Sequence, residues 1–324
     1  MDDRILTAII AAVGVPLALF GYIRLGEALI ERLPQRLRAR VRPYIWVFPA
    51  IAFATVFMVL PTINTIIISF QDKNSTHWVG FANYVYFFTN PDTLASLKNN
   101  VLWLVFFTGF VVIGGLLISV LFDRIRYESL AKTAVFLPLP ISAVAASIIW
   151  KFMFEYQPPG QTQTGTLNAI IGSVGFDPVA WMVNATTNNF ALIFVGVWTS
   201  TGFAMVIISA SLKAISPELL EAARVDGAGE LRVLWSIIIP LLMPTLTVVA
   251  TTMVITALKV FDIVYTLTAG AYGTDVIARQ MLGQLISGSP QYGRAAAVGV
   301  VLLVAVVPIL AINLRRFRQQ EAIR

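Results

Sequence analysis

Residues 221–240 read EAARVDGAGELRVLWSIIIP, and the first part of this stretch, 221–232, is polar although strongly apolar segments flank it on both sides. The whole chain has 324 residues, of which 57% are hydrophobic and only 12% are charged. Such a composition leaves too little polar surface to cover an ordinary soluble domain. Since helices are the only open-ended structures that satisfy their own backbone in hydrocarbon, the sequence predicts an all-α polytopic membrane protein in which the polar residues 221–232 lie in water.

The composition also excludes several kinds of chemistry. The chain has no cysteine and one histidine, His77, so disulfides, thiolate metal sites and cysteine nucleophiles are excluded, and we expect no metal site. The net charge of +6 indicates basic cytoplasmic loops in such a chain, and nucleic acid is not an expected partner.

A helix of about 20 apolar residues crosses a bilayer, and seven stretches meet that length. They are Ile5–Tyr22, Tyr44–Phe70, Val101–Phe122, Ala131–Phe154, Phe190–Leu212, Leu234–Thr268 and Ala295–Leu314. The sixth is longer than a bilayer requires, so we expect it to begin as a surface helix and to tilt inward after Pro240 and Pro244.

Basic residues are concentrated in the segments that follow the first, third, fifth and seventh stretches. These segments hold 16 of the 23 lysines and arginines. The positive-inside rule therefore predicts an outside N-terminus, a cytoplasmic C-terminus and a cytoplasmic position for residues 221–232. We divide the chain into a transmembrane anchor with a basic cytoplasmic connector (1–43), a transmembrane domain (44–318) and a cytoplasmic tail (319–324).

The polar stretch itself predicts two short helices. Ser216 can cap the first, Pro217 suits its first turn, and Gly227 and Gly229 interrupt the chain before the second. Physical reasoning leaves two alternatives, a loop that lies passively on the lipid headgroups or a compact knob that forms a protein interface.

The spacing Glu221-Ala222-Ala223, then Gly227, then Ile237-Ile238-Ile239-Pro240 closely resembles the EAA motif of permease subunits in binding-protein-dependent ABC importers. Ile239 departs from the leucine usual there. In that family the knob docks into a cleft on a cytoplasmic ATPase subunit. The resemblance thus implies a coupling loop near 213–240 whose contact residues are Glu221, Ala222, Ala223, Asp226 and Gly227.

Further segments resemble a narrower branch. WVGFANY at 78–84 and YGRAAA at 292–297 are similar to sugar-importer permeases. YQPPGQ at 156–161 and LKVFDIVY at 258–265 are most similar to permeases for α-glucosides, which include sucrose, trehalose, maltose and glucosylglycerol carriers. The resemblance implies a type I importer core of six helices plus one N-terminal helix, in the bacterial cytoplasmic (inner) membrane.

The sequence has no G-x-x-x-x-G-K-[ST] motif, so phosphate binding of the P-loop type is not expected in this chain. We expect a transporter subunit rather than an enzyme, with no cofactor of its own. The resemblance implies a second homologous permease, two cytoplasmic ATPase subunits that bind ATP and Mg²⁺, and an extracytoplasmic solute-binding protein, besides the sugar and membrane lipid.

Small and hydroxylated residues mark a candidate sugar path in the fifth stretch. Gly196, Thr199, Ser200 and Phe203 recur at intervals of three and four, so they share one helical face. Ordinary helix packing is the alternative. Measured by its spacing from Glu221, the face falls where maltose-type permeases place sugar contacts.

Lys259 and Asp262 are charged residues within the sixth stretch, where isolated charges are costly. On a continuous helix they share a face with Thr252 and Thr256 and can form an ion pair. The pair either stabilises packing near the outer leaflet or borders the sugar path. A secondary transporter and a non-transporting membrane scaffold are the competing functions for the chain as a whole.

Overall fold

The structure is a computed structural model that describes residues 3–123, 125–158 and 160–321. These residues form thirteen helices and no β-strand beyond an isolated bridge between Gln71 and Trp78, which confirms the all-α fold. Arg124 of a predicted basic cluster, Pro159 of the YQPPGQ segment and residues 322–324 of the predicted tail lie outside the described residues.

Six of the helices are long and carry a membrane-length apolar segment. We number the helices α1 (Asp3–Glu31), α2 (Gln35–Ile68), α3 (Ala82–Thr89), α4 (Pro91–Phe122), α5 (Glu128–Phe136), α6 (Ala143–Met153), α7 (Thr166–Ser173), α8 (Asn188–Leu212), α9 (Pro217–Val225), α10 (Glu230–Leu258), α11 (Asp262–Leu267), α12 (Ile277–Ile286) and α13 (Tyr292–Glu321). The six spans lie in α1, α2, α4, α8, α10 and α13.

The chain forms two compact units, one up to Ile67 and one from Ile68 onward. In the first, α1 and α2 contact each other through Glu27, whose carboxylate accepts hydrogen bonds from Arg42 at 3.0 Å and from the Trp46 indole at 2.9 Å. The Tyr22 hydroxyl also donates to the Ile45 carbonyl at 3.0 Å. The predicted basic connector is therefore mostly helical, because residues 35–42 are the first turns of α2.

The fourth predicted span, Ala131–Phe154, is not one helix. It consists of α5 and α6, separated by turns around Pro138 and Pro140, and each helix is too short to cross a bilayer alone. Proline lacks the backbone N–H that continues a helix. The new helix begins after Ser142, whose Oγ accepts a hydrogen bond from the Ala145 amide at 3.2 Å.

The sixth predicted span, Leu234–Thr268, also ends early. Helix α10 stops at Leu258, and after Lys259, Val260 and Phe261 the short helix α11 begins at Asp262. The buried Asn100 of α4 donates to the carbonyls of Ala257 and Leu258 at 3.3 and 3.4 Å. Asn100 thus adds a side-chain donor to carbonyls in the last turn of the helix, where the Ala257 carbonyl also accepts from the Val260 amide at 3.3 Å.

Helix α8 has more buried residues than any other described helix, including Leu192, Val195, Met205 and Ile208. It meets α4 closely at Gly115, where a Cβ atom would lie 2.6 Å from that of Ala204. The Ser119 hydroxyl donates to the Met205 carbonyl at 2.9 Å across the same contact. This packing fixes the helix that carries the predicted sugar-path residues.

Three long helices contain a π-helical turn, a turn in which the backbone bonds span five residues. These turns are Thr55–Val59 in α2, Trp103–Phe107 in α4 and Leu234–Ile238 in α10. Such turns often occur at functional sites. The second borders the candidate site below, and the third follows the polar knob.

Candidate functional site

A cavity of about 380 Å³ lies among α4, α8, α10, α11 and the 137–142 segment. Six of the eight predicted path residues line it, namely Gly196, Thr199, Ser200, Thr256, Lys259 and Asp262. The structure therefore brings together residues that the sequence suggested on two separate stretches.

The remaining two predicted residues lie elsewhere. Phe203 is half-buried and packs against the main hydrophobic core. Thr252 is one turn before Thr256 on α10, and its hydroxyl donates to the Val248 carbonyl at 3.0 Å. Neither is among the residues that line the cavity.

The ion pair that a continuous helix would allow between Lys259 and Asp262 does not form in this structure. Lys259 follows the last residue of α10, Asp262 begins α11, and Phe261 between them has an extended φ of −146°. In the described part of the chain the two side chains form no ion pair within 4 Å. Both are exposed and line the cavity, so the site contains two separate charges of opposite sign.

One wall of the cavity is aromatic. Trp103 and Phe107, both buried, lie on the π-helical turn of α4 and rest against Gly196. A Cβ atom at Gly196 would be 2.9 Å from Trp103 Cζ3 and 3.2 Å from the Phe107 ring, so only glycine allows this approach. The sequence analysis missed both aromatic residues, because nothing local distinguishes them from other buried rings.

The hydroxyls of Thr199 and Thr256 bond to their own helices and keep free lone pairs. Thr199 Oγ1 donates to the Gly196 carbonyl at 2.9 Å, and Thr256 Oγ1 donates to the Thr252 carbonyl at 2.9 Å. Each oxygen can still accept a hydrogen bond. With a lysine donor, an aspartate acceptor and an aromatic wall, the site has the groups that fix a small polar ligand in a pocket.

The polar knob has the two predicted helices, α9 and the start of α10. Gly227 adopts a φ of +85°, the Gly227 amide donates to the Arg224 carbonyl and the Ala228 amide donates to the Ala223 carbonyl, both at 3.0 Å. This pair of bonds is the Schellman motif, which ends a helix with a left-handed residue. Arg224 and Glu230 join the two helices by an ion pair of 2.9 Å.

The knob presents some predicted coupling residues outward and others inward. Glu221, Ala222 and Asp226 are exposed, whereas Ala223 packs against the core. Val225 is 86% exposed, although it is apolar. Ser216 does not cap α9 as predicted, because its hydroxyl donates to the Glu218 carboxylate instead and thereby lowers the pKa of Glu218.

An ion cluster that the sequence analysis missed lies where α8 leads into the knob. Glu128 Oε1 is 2.6 Å from the amines of both Lys132 and Lys213, and Lys132 also bonds to the buried Ser209 hydroxyl. Hydrogen bonds from Lys132 and Lys213 lower the pKa of Glu128, and the bond to Glu128 raises the pKa of Lys213. The cluster connects α5 to the end of α8.

Residues 28–320 match the protein family described as the binding-protein-dependent transport system inner membrane component, and the chain belongs to that family. It is a permease of an ABC importer and a multi-pass inner-membrane protein.

Among similar proteins, the osmoprotective compounds uptake permease protein GgtC of Synechocystis is 48% identical over 86% of this chain and the whole relative. The alpha-glucoside transport system permease protein AglF of Rhizobium meliloti is 38% identical over 88% of this chain and 85% of the relative. A crystal structure of a bacterial ABC transporter involved in alginate import covers 87% of this chain and 99% of its own, with a TM-score of 0.73. Because the two sequences are only 24% identical, this match shows a similar fold and nothing further.

Proposed function

We propose that this chain forms half of the membrane path of an ATP-driven sugar importer, and that its substrate is an α-glucoside of the sucrose, trehalose, maltose or glucosylglycerol type. The observation that carries the proposal is the cavity where Thr199, Ser200, Thr256, Lys259 and Asp262 meet. Hydroxyl, amine and carboxylate groups bond to sugar hydroxyls, while an aromatic wall suits the apolar C–H face of a pyranose.

The size of the cavity agrees with a small ligand. Its volume of about 380 Å³ lies within the range of pockets that bury small molecules, about 300–1,000 Å³. The similarity to an alpha-glucoside permease supports an α-glucoside as the transported sugar. A similar Haloferax protein is described as a xylose/arabinose import permease, which supports a sugar substrate in general. Membership of the family argues against a secondary carrier or a passive scaffold.

The remaining subunits follow from the same proposal. A second homologous permease supplies the other half of the path, two cytoplasmic ATPase subunits bind ATP and Mg²⁺, and an extracytoplasmic solute-binding protein delivers the sugar. The exposed Glu221, Ala222, Asp226 and Val225 form the surface for the ATPase. This chain itself binds no cofactor and hydrolyses no ATP. The N-terminus lies outside the cell and the C-terminus in the cytoplasm.

Two threonines on α10 give a matched test of the sugar path. Thr256 and Thr252 lie one turn apart and both bond to the carbonyl four residues earlier, but only Thr256 lines the cavity. We expect Thr256→Val to lower glucoside uptake roughly tenfold, since one bond to the sugar of about 1.4 kcal/mol is lost, and Thr252→Val to leave uptake within about twofold. Uptake of radiolabelled sucrose and trehalose measures both.

The two charges are tested by replacing each alone and by exchanging them. Because no ion pair joins Lys259 and Asp262 in the described residues, each single change, Lys259→Met or Asp262→Asn, should reduce uptake while the complex keeps its thermal stability. The double exchange Lys259→Asp with Asp262→Lys should not restore transport. Uptake at the wild-type rate and KM by the assembled exchanged complex contradicts a role in binding sugar.

A further inference from the structure

A second cavity, larger than the first, lies at the other end of α6. Its volume is about 610 Å³, and it is bounded by the last turns of α6, the 180–183 segment and the chain that follows α11. Five aromatic side chains line it, Phe152, Phe154, Tyr156, Trp181 and Tyr272, together with Lys151 and Glu155. On the predicted orientation of the chain, this cavity faces the outside of the cell.

The aromatic wall is held in place by one fully buried side chain, Asn168 of α7. Its Oδ1 accepts from the Val179 amide at 2.9 Å and from the Trp181 indole at 3.1 Å. Its Nδ2 donates to the carbonyls of Glu155 and Val179 at 2.9 and 3.1 Å. Asn168 therefore joins the two separate segments that carry Glu155 and Trp181 and holds them in place, which is the preorganisation that a binding site needs.

Close backbone packing also constrains the chain at Glu155. Gly165, the residue before α7, approaches so closely that a Cβ atom there would lie 2.1 Å from the Glu155 carbonyl oxygen. Only glycine fits at this position. The cavity wall at Glu155 is thus a packed structure rather than a free surface loop.

Several polar groups of the cavity have no bond to the protein. In the described residues, the side chains of Lys151, Glu155, Tyr156 and Tyr272 form no ion pair or hydrogen bond. They offer one cationic donor, one anionic acceptor and two hydroxyls around rings that Trp181 and Phe154 provide. Aromatic faces combined with both donors and acceptors suit a sugar, whereas an acyl chain has no use for the charges.

The two cavities share two helices. Ala143 at the start of α6 and Asp262 at the start of α11 line the first cavity, whereas Lys151 and Leu267 near the opposite ends of these helices line the second. The two cavities therefore follow one another along α6 and α11.

We propose that this second cavity is an outer sugar subsite, which binds the glucoside before it reaches the cavity at Thr199 and Asp262. The inference rests on the proposed function, because it takes the transported glucoside as the ligand. Lys151, Glu155 and the Tyr272 hydroxyl bind sugar hydroxyls at the rim, and the Trp181 ring contacts a pyranose face.

The absence of cysteine from the chain allows a direct test by thiol protection. Val183→Cys places a thiol in the outer cavity at a side chain that is 53% exposed, and Ser200→Cys places one in the inner cavity. Val174→Cys, at a side chain that is 67% exposed and lines neither cavity, is the matched control. The assembled transporter in lipid nanodiscs, without solute-binding protein, is treated with a small methanethiosulfonate reagent, and the labelling of this chain is followed over time.

We expect trehalose or sucrose to slow labelling of the Val183→Cys and Ser200→Cys variants at least fivefold, and to leave the Val174→Cys variant unchanged. Mannitol at the same concentration, a polyol with no pyranose ring, should protect neither. Protection at position 200 without protection at 183 overturns the outer subsite and leaves the proposed function intact. Protection at neither position overturns both proposals, and equal protection by mannitol overturns the subsite.

Substitutions in the wall of the outer cavity provide a second test of the subsite. In the Val183→Cys background, Lys151→Met or Tyr272→Phe should raise the sugar concentration for half-protection roughly tenfold, because one polar contact is lost. Tyr265 is an exposed tyrosine on α11 that does not line the outer cavity, so Tyr265→Phe should leave the sugar concentration for half-protection unchanged. An equal effect of the Tyr265 and Tyr272 changes, or no effect of either cavity change, contradicts sugar binding at this wall.

Discussion

Gly227 and Gly229 differ in backbone conformation although they lie two residues apart in the knob. Gly227 has a φ of +85°, whereas Gly229 has a φ of −66°, and a Cβ atom at either position would have no neighbour within 4 Å. Space is therefore equal at the two sites, and only the left-handed conformation at Gly227 requires glycine.

This difference gives a matched test of the coupling role. We expect Gly227→Ala to strain the Schellman motif by roughly 1 kcal/mol and to reduce sugar-stimulated ATP hydrolysis by the assembled importer. Gly229→Ala should retain the wild-type stimulation. The ratio of stimulated to basal hydrolysis measures both variants, and an equal loss in the two shows that the left-handed turn is not what couples the subunits.

The ion cluster around Glu128 predicts that the stability of the fold depends on pH. The Glu128 carboxylate is bonded to Lys132 and Lys213, and these bonds lower its pKa below the ordinary value of 4.5. A lowered pKa stabilises the fold above about pH 4.5, and this contribution is lost as the pH falls through the lowered value. We expect wild type to melt about 1–3 °C above Glu128→Gln at pH 7, since the pair is partly exposed.

The comparison is made by thermal unfolding of the detergent-solubilised complex at pH 7 and again near pH 4. The difference between wild type and Glu128→Gln should shrink at the lower pH. Asp177→Asn, which changes an exposed carboxylate with no ion pair in the described residues, is the control and should show no difference at either pH. A difference that stays constant with pH contradicts the assignment.

Local sequence identified most of the site residues, and the exceptions have a common cause. Thr199, Ser200 and Thr256 could be predicted from helical spacing, because this spacing is a property of the local sequence. Phe203 and Thr252 satisfy the same spacing but do not line the cavity, and Phe203 packs against the hydrophobic core instead. Trp103 became part of the site through Gly196, a contact between distant residues that no spacing predicts.

At the scale of helices, the two broken spans differ in how well sequence could reveal them. Pro138 and Pro140 mark the first break, and prolines that close together were a sufficient signal. The second break, at Lys259–Phe261, contains no proline or glycine. At this break the side chain of Asn100, from another helix, bonds to the end of α10, and such a tertiary contact cannot be predicted from local sequence.

Asn100 is therefore the residue to change. Its side chain also accepts from the Ile277 amide at 2.8 Å, so Asn100→Ala removes the side-chain partner of the Ile277 amide and of the Leu258 carbonyl. We expect a loss of about 1–3 kcal/mol in the free energy of unfolding. Asn184→Ala removes exposed bonds within one turn and should cost less than about 0.5 kcal/mol. Thermal unfolding of both variants checks the expectation, and similar melting temperatures contradict it.

At the scale of the whole molecule, the orientation is the prediction still open to test. The distribution of lysine and arginine places the knob in the cytoplasm and the 155–187 segment outside. A membrane-impermeant maleimide should label Asn184→Cys in intact cells and should label Ala214→Cys, beside the knob, only after the membrane is opened; both native side chains are exposed. The reverse pattern contradicts the orientation and moves the second cavity to the cytoplasmic side.

The π-helical turn at Trp103–Phe107 limits how this chain can change in length. A π-turn holds one more residue than an α-helical turn, so it equals a one-residue insertion within α4. Deleting one residue within this turn would restore a regular α-helical turn and keep the facing of the two halves, whereas deleting one residue between the turn and Gly115 would rotate the halves by about 100° relative to each other. Gly115 and Ser119 would then leave their contact with α8. Relatives without this turn should align with a single-residue gap inside a helix, where gaps are otherwise uncommon.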